Sequence, residues 1–550
     1  MNKTSKLIAK LHSLRNCYGK QSAAEKMQLL HAINDQSIPG KKVLQTYYDA
    51  LLFIIAYPDN KTIYALANHS LQQLSLYIQS SEKIKISLFN TGITNSSNCA
   101  AFSFEMVKWL RKTHPDEIKL SSFEAGDGQI QSLLSVVMPK VESEILQDAN
   151  AEWKGWLKRL KTRKEDLLDQ LIAIFGSSFI RPEVKDELWN AIGINVTINF
   201  PMHCCLPGHL IIPYYHRSLI RKHIDQQKPV IKPIGVKLTI AAAEQIIDCS
   251  RMILVRHLRE IDPVSFTDAK LVSYYQLPRG ISIALMSMVT ERRHPIDSYM
   301  GYVVFKNGLP VAYAGSWILF NSGRIGLNIF PSYRGGESQY IFQQVLQLHT
   351  TVYNLKRFSV DPYQVGKENS DGIRSGAFWV YYHVGFRPIL KAQQQLAEAE
   401  ALKIKTIPGY RSPGPVLKKL ALCRQVFVIH KSAVEFDAND LSSAWAGILT
   451  KKYNNQRPAG ENLIKKLASI LQIKNYQETK MNFVLQNWCM LLLANEKKLR
   501  DNNLLKKTLK KLFTIKVAGR EEDYITKLQQ ATAVRFFMEN ILKEFVVKGV

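Results

Sequence analysis

The chain has 550 residues, and 46% hydrophobic, 10% aromatic and 22% charged residues describe an ordinary packed globular protein, not a disordered, fibrous or collagen-like chain. At about 150 residues per domain the length favours several domains over one small module. Charge is the anomaly: 73 Lys+Arg against 46 Asp+Glu leave +27, a surface that attracts phosphates, nucleic acid, anionic lipid or acidic protein without specifying any chemistry.

Leu7, Ile8, Leu11 and Leu14 recur at helical spacing, unlike the unbroken apolar run of a signal peptide. The longest apolar stretch, Leu51 to Tyr57, falls far short of the roughly 20 residues that span a bilayer. Seven scattered cysteines do not make a disulfide framework. The expectation is a soluble, cytoplasmic protein with no transmembrane segment.

Residues 1–195 read as a helical N-terminal domain, with Leu44, Tyr47, Leu51 and Ile55, then Trp153, Trp156, Leu157 and Leu160, at steps that suit one helix face. Residues 196–235 read as a connecting segment, because Pro207-Gly208, Pro213, Pro229 and Pro233 follow the strand-like run that starts at Ile194. From 236 to 432 helix-like and strand-like segments alternate, the signature of an α/β domain. From 433 to 550 the pattern is helical again, with Leu463, Leu467 and Ile470, then Leu505, Leu509 and Leu512. It is also basic: residues 441–550 hold 20 Lys+Arg against 9 Asp+Glu.

Within the α/β segment a long helical pattern runs from Ala241 to Glu260. Leu277 to Met288 reads as a strand, followed by the charged loop Glu291-Arg292-Arg293-His294. Gly301 to Phe320 is two β-rich runs joined at Asn307-Gly308, a dipeptide that accepts positive φ in a tight hairpin. A third run, Arg324 to Phe330, completes a meander. Pro331-Ser-Tyr-Arg334-Gly335-Gly336-Glu337-Ser338 then leads into an amphipathic helix through Ile341, Val345, Leu348 and Val352. Strand, Arg-Gly-Gly turn and helix N-terminus together suit a pyrophosphate, since free N–H groups and the helix dipole point at the anion. A short strand, Lys356 to Val360, follows. A second helix from about Asn369 ends at Tyr381-Tyr-His-Val-Gly385-Phe386-Arg-Pro388.

This order of elements resembles the Gcn5-related N-acetyltransferase superfamily over 150–195 residues of the chain. Phe330-Pro331-Ser-Tyr-Arg334-Gly335 is similar to the family's hydrophobic-x-Pro-x-x-Arg-Gly start of the pyrophosphate loop, and Tyr381 stands four residues before Gly385-Phe386, where the family often places its general acid. The resemblance implies a mixed-sheet acyltransferase domain between helical flanks, acetyl-CoA or another acyl-CoA as co-substrate, and an amine acceptor. It implies that Arg334, Gly335, Gly336 and Ser338 hold the pyrophosphate and that Tyr381 is the acid. A backbone amide near Asp361 would hold the thioester carbonyl, and Asp361 or Glu337 would assist the base. The chain departs from the pattern in two ways. Glu337 follows the glycines, where a carboxylate suits a pyrophosphate only if it points away or pairs with a cation. The strand before the loop carries no glutamate, only Arg324 and Asn328 on its polar face. Arg292 and Arg293 are candidates for an acidic acceptor.

Two amphipathic runs, Trp153 to Lys164 and Leu504 to Phe513, carry cationic faces suited to nucleic acid or another polyanion. The alternative reading is therefore a non-catalytic scaffold of the same fold, binding such a partner through its basic flanks. His203-Cys204-Cys205-Leu-Pro-Gly-His209 lacks the regular ligand spacing of a zinc site, so no metal is expected. No Gly-x-Ser-x-Gly elbow and no Walker-type loop is present.

Overall fold

A computed structural model describes residues 2–34, 36–147, 152–160, 166–201, 203–221, 233–430 and 436–546. Lys161 to Lys164 of the first basic run, the Leu160 side chain and Pro229 lie outside the described residues. Three apolar cores organise the chain.

Residues 1–195 do not form one helical domain. Four helices between Lys3 and Gln79 pack Leu44, Tyr47, Leu51 and Ile55 into the same core as the central sheet. A separate small α/β unit follows, built on strands β1 (Ser97–Ala101), β2 (Ile118–Phe123) and β3 (Ile194–Asn199) in the antiparallel order β1-β3-β2. Only β3 shows clean alternation, with Ile194, Val196 and Ile198 buried. The outer strands, Ser-Asn-Cys-Ala-Ala and Ile-Lys-Leu-Ser-Ser-Phe, are too polar to read as strands by themselves. Trp153, Phe175 and Trp189 fill this unit's core. Met252 and Val255, from the long Ile240–Arg256 helix of the central domain, close it.

The central sheet comprises β4 (Ile234–Val236), β5 (Val272–Leu277), β6 (Ile281–Met286), β7 (Ser298–Lys306), β8 (Leu309–Leu319), β9 (Ser322–Ile325), β10 (Asn328–Ile329), β11 (Arg357–Val360), β12 (Arg387–Pro388) and β13 (Gln425–Val428). Its order is β4-β5-β6-β7-β8-β9-β11-β13-β12, with β10 pairing back onto β8. All pairs are antiparallel except β9 and β11, which are parallel and joined through the Ser338–Tyr353 helix. The β7–β8 hairpin turns at Asn307 (φ +46°) and Gly308 (φ +85°), the two positive φ values that a two-residue turn matched to strand twist requires. The fold is thus mixed α/β.

The C-terminal region forms a bundle from the Ala438–Tyr453 helix to the Thr532–Phe545 helix, around Leu485, Trp488, Leu509 and Phe513. Leu319, Phe320 and Phe436 join it to the central domain. No helix among the described residues is long and apolar enough to cross a membrane.

Candidate functional site

The expected third strand of the meander is broken. β9 and β10 keep one register along β8, Ile325 opposite Ser316 and Asn328 opposite Tyr313, but Gly326 and Leu327 between them leave the ladder. Two tyrosines satisfy that unpaired backbone. The Tyr302 hydroxyl donates to the Gly326 carbonyl, and the Leu327 N–H donates to the Tyr381 hydroxyl oxygen at 3.0 Å. A Cβ on Gly326 would lie 3.0 Å from the Gln364 side chain, so glycine is what lets the segment after β11 approach. β11 pairs with β9 at Arg357–Ser322, Phe358–Gly323 and Ser359–Arg324, and the parallel ladder ends there.

A cleft of about 710 Å³ opens there. Arg334, Gly335 and Ser338 line it from the loop, Tyr381 and Asp371 from the following helices, and His257, Arg259 and Tyr313 complete it. The Ser316 hydroxyl meets His349 of the Ser338–Tyr353 helix at 3.1 Å, so that helix covers the Ser316 face of β8. Tyr313 points to the opposite face by strand alternation, stacked on Phe330, which stacks in turn on His257 at 4.3 Å between ring centroids. The cleft therefore gathers side chains from both faces of the sheet.

The loop glycines have different reasons to be glycine. Gly335 sits at φ +86°, where a Cβ would touch Asn16 Nδ2 at an ordinary 4.0 Å, whereas a Cβ on Gly336 would lie 2.7 Å from the Tyr57 ring. Gly335 lines the cleft and Gly336 faces the N-terminal helices. The next helix begins with a side chain that makes no capping bond, so its first-turn N–H groups keep no intrahelical partner. Arg334 reaches across to Asp371 with bonds of 3.1 and 2.6 Å.

Glu337 does not line the cleft. Its carboxylate is fully buried, 2.8 Å from Lys306 Nζ and 3.0 Å from Arg279 Nε, and it accepts the Ile220 N–H at 2.9 Å. Burial pushes its pKa up, but Lys306 and Arg279 outweigh that and hold it below the ordinary range. A carboxylate neutralised by two cations and turned inward is no proton acceptor for the cleft, so the expected base role does not fit this placement. The same contacts pin the loop to the β7–β8 turn and the connecting segment.

Asp361 lies at the end of β11, 3.5 Å from Arg324, and is not among the residues lining the cleft. Burial raises its pKa and Arg324 opposes the rise. The two arginines read as candidates for an acidic acceptor are instead clamps between parts of the fold, Arg293 buried and Arg292 half-buried. Arg292 pairs with Asp186 of the small α/β unit and stacks on Phe266. Arg293 donates to the Met288 and Gly519 carbonyls and sits 3.4 Å from Glu521 of the C-terminal bundle. Neither faces the cleft. Among the described residues no cluster of His, Cys, Asp and Glu is arranged to hold a metal ion.

Tyr381 is buried. Burial raises its pKa well above the ordinary tyrosine value, against the Leu327 N–H, which favours the charged form. At neutral pH it is a protonated phenol whose oxygen already accepts one bond, leaving its proton to donate. His257, Arg259 and Asp371 escaped sequence reasoning because they lie about 75 residues before and 35 after the loop motif, with no local pattern of their own. Compared with protein-family models, curated proteins and solved structures, the chain finds no match.

Proposed function

We propose that the central domain binds an acyl-CoA in this cleft and transfers the acyl group to an amine. The observation that carries the reading is the convergence, on one cleft beside the broken strand, of an Arg-Gly helix N-terminus and a tyrosine hydroxyl fixed by that strand's own amide. The strand–helix–strand connection supports it: β9 and β11 run parallel and are joined by the helix that begins at Ser338, the strand, turn and helix order on which the resemblance rests.

In this reading Arg334 and the first-turn N–H groups hold the pyrophosphate. The amine attacks the thioester carbon, a C–N bond forms and the C–S bond breaks, and the Tyr381 proton passes to the leaving thiolate. The ammonium proton leaves through water or His257. Burial first, then Arg256 and Arg259, lower the pKa of His257 to about 4, so it stands in the cleft as a neutral imidazole that relays the proton onward. The test is thiol release from acetyl-CoA with a panel of amines. Tyr381→Phe is expected to be slower by about 10²-fold, the usual worth of a positioned acid; equal rates would remove Tyr381 from the chemistry.

A second reading, polyanion binding through the C-terminal bundle, is favoured by Lys507 and Lys511, both exposed on the Asn503–Ala518 helix near the exposed Leu504. Lys506 and Lys510 are held by the Arg500 and Gln472 carbonyls. Lys507→Glu with Lys511→Glu separates the two readings: it abolishes salt-sensitive polyanion binding and leaves thiol release intact.

A further inference from the structure

Beside the cleft lies a second cavity of about 390 Å³, bounded by the Lys41–Ala56 helix, the turn at Thr91–Ile93, His203, Cys204, Arg256 and the loop residues Pro331 to Tyr333. It shares His257 and Pro331 with the cleft. Arg256 is only 4% exposed. Its NH1 donates to the Gly92 carbonyl at 3.2 Å and its guanidinium lies 4.8 Å from the Phe200 ring, but its buried Nε has no partner. Among the described residues no carboxylate forms an ion pair with it.

Other buried cations among the described residues have either a carboxylate or several carbonyl partners. Lys26 has Asp59, Lys306 has Glu337 and Lys516 has Glu521, while Arg251 donates to the Val264, Ser265 and Thr267 carbonyls. A buried charge with no counter-charge is costly, and here it borders open space. The carboxylate that lines the cavity, Asp49, is bonded by the Ser332 hydroxyl at 2.6 Å and has Arg15 as its neighbouring cation, not Arg256. Lys42, exposed, adds a second positive charge. His203 and His257 are neutral, their pKa values lowered to about 4 by burial and then by Arg256, so they offer hydrogen bonds without charge.

We infer that this cavity holds the carboxylate or phosphate of a small ligand on Arg256 and, resting on the acyl-transfer reading above, that the ligand is the acceptor: an amine bearing an acidic group, anchored beside the loop and reaching the cleft past His257. The anion supplies the counter-charge Arg256 lacks. The shared wall at His257 and Pro331 sets the two spaces side by side.

The test is calorimetric titration of the full chain with inorganic phosphate and with 4-aminobutyrate, at two salt concentrations, alongside acetyl-CoA. Arg256→Gln removes the charge. Thr46→Trp, at a residue lining the cavity, fills the space and leaves Arg256 in place, and it decides the matter if Arg256→Gln fails to fold. Saturable, salt-tolerant binding of either probe, weakened at least tenfold in the variants with acetyl-CoA affinity unchanged, is the expected result. Absence of binding by both probes, or equal binding in wild type and variants, would overturn the anion site. Anion binding lost in the variants of a protein that binds no acetyl-CoA would keep the site and overturn its assignment as the acceptor pocket.

Discussion

The amide of Leu327 donates to the hydroxyl of Tyr381 across 3.0 Å, so the break between β9 and β10 and the helix bearing the candidate acid are positioned by the same bond. Tyr381→Phe removes the acceptor and leaves a part-buried N–H unpaired, at a cost of about 1 kcal/mol. A fall in thermal midpoint together with a fall in thiol release is expected. Loss of stability alone, with turnover intact, would make Tyr381 purely structural.

Gly336 and Tyr57 should be coupled. Gly336→Ala pushes a methyl group against the Tyr57 ring, and Tyr57→Leu removes part of that wall. In a double-mutant cycle on stability, an interaction term of about 0.5–3 kcal/mol is expected. Gly335→Ala should show no such coupling, because its cost comes from the positive φ.

Removing one member of the buried Glu337–Lys306–Arg279 group should be severe. Glu337→Leu leaves two cations beside each other in the interior and is expected to cost about 3–5 kcal/mol in chemical denaturation. Lys306→Met in the same background should recover part of it. A Glu337→Leu variant as stable as wild type would show that these contacts do not hold the loop.

Acid stability is expected to depend on four histidines as well as on carboxylates, His216 and His349 buried and His203 and His257 half-buried. His203, His257 and His349 have pKa values lowered to about 4 and His216 to about 3, burial being the largest cause in each. Their folded values lie below the unfolded value near 6.5, so the unfolded state binds more protons between these limits, and stability is lost as pH falls from about 6.5 towards 4. At pH 5 each contributes a loss of about 1–2 kcal/mol. His349→Gln, which retains a bonding partner for Ser316, should flatten the pH dependence of stability by about one proton.

Much of the central fold was legible because local chemistry decides it: Asn307-Gly308 fixes a hairpin, and Arg334-Gly335-Gly336 marks the turn into a helix. The small α/β unit was hidden because β1 and β2 carry few apolar residues and become strands only by pairing with β3. The site was half legible. Arg334, Gly335, Ser338 and Tyr381 reach one cleft, as their motifs suggest, whereas Gly336 and Glu337 turn inward from the same loop. Charge alone misplaces Arg292 and Arg293, since two adjacent arginines suggest an acidic acceptor until Asp186 and Glu521 arrive from elements more than 100 residues away. Arg256 carries no motif; what distinguishes it is a missing partner, which exists only in three dimensions.

The most direct measurement is calorimetric titration with acetyl-CoA at low and high salt, with Gly336→Asp as control. The account predicts saturable binding that tolerates salt and is lost in the variant, because the new carboxylate would press against Tyr57 and displace the loop. Absence of binding, or binding that merely follows ionic strength as expected of any +27 surface, would contradict it.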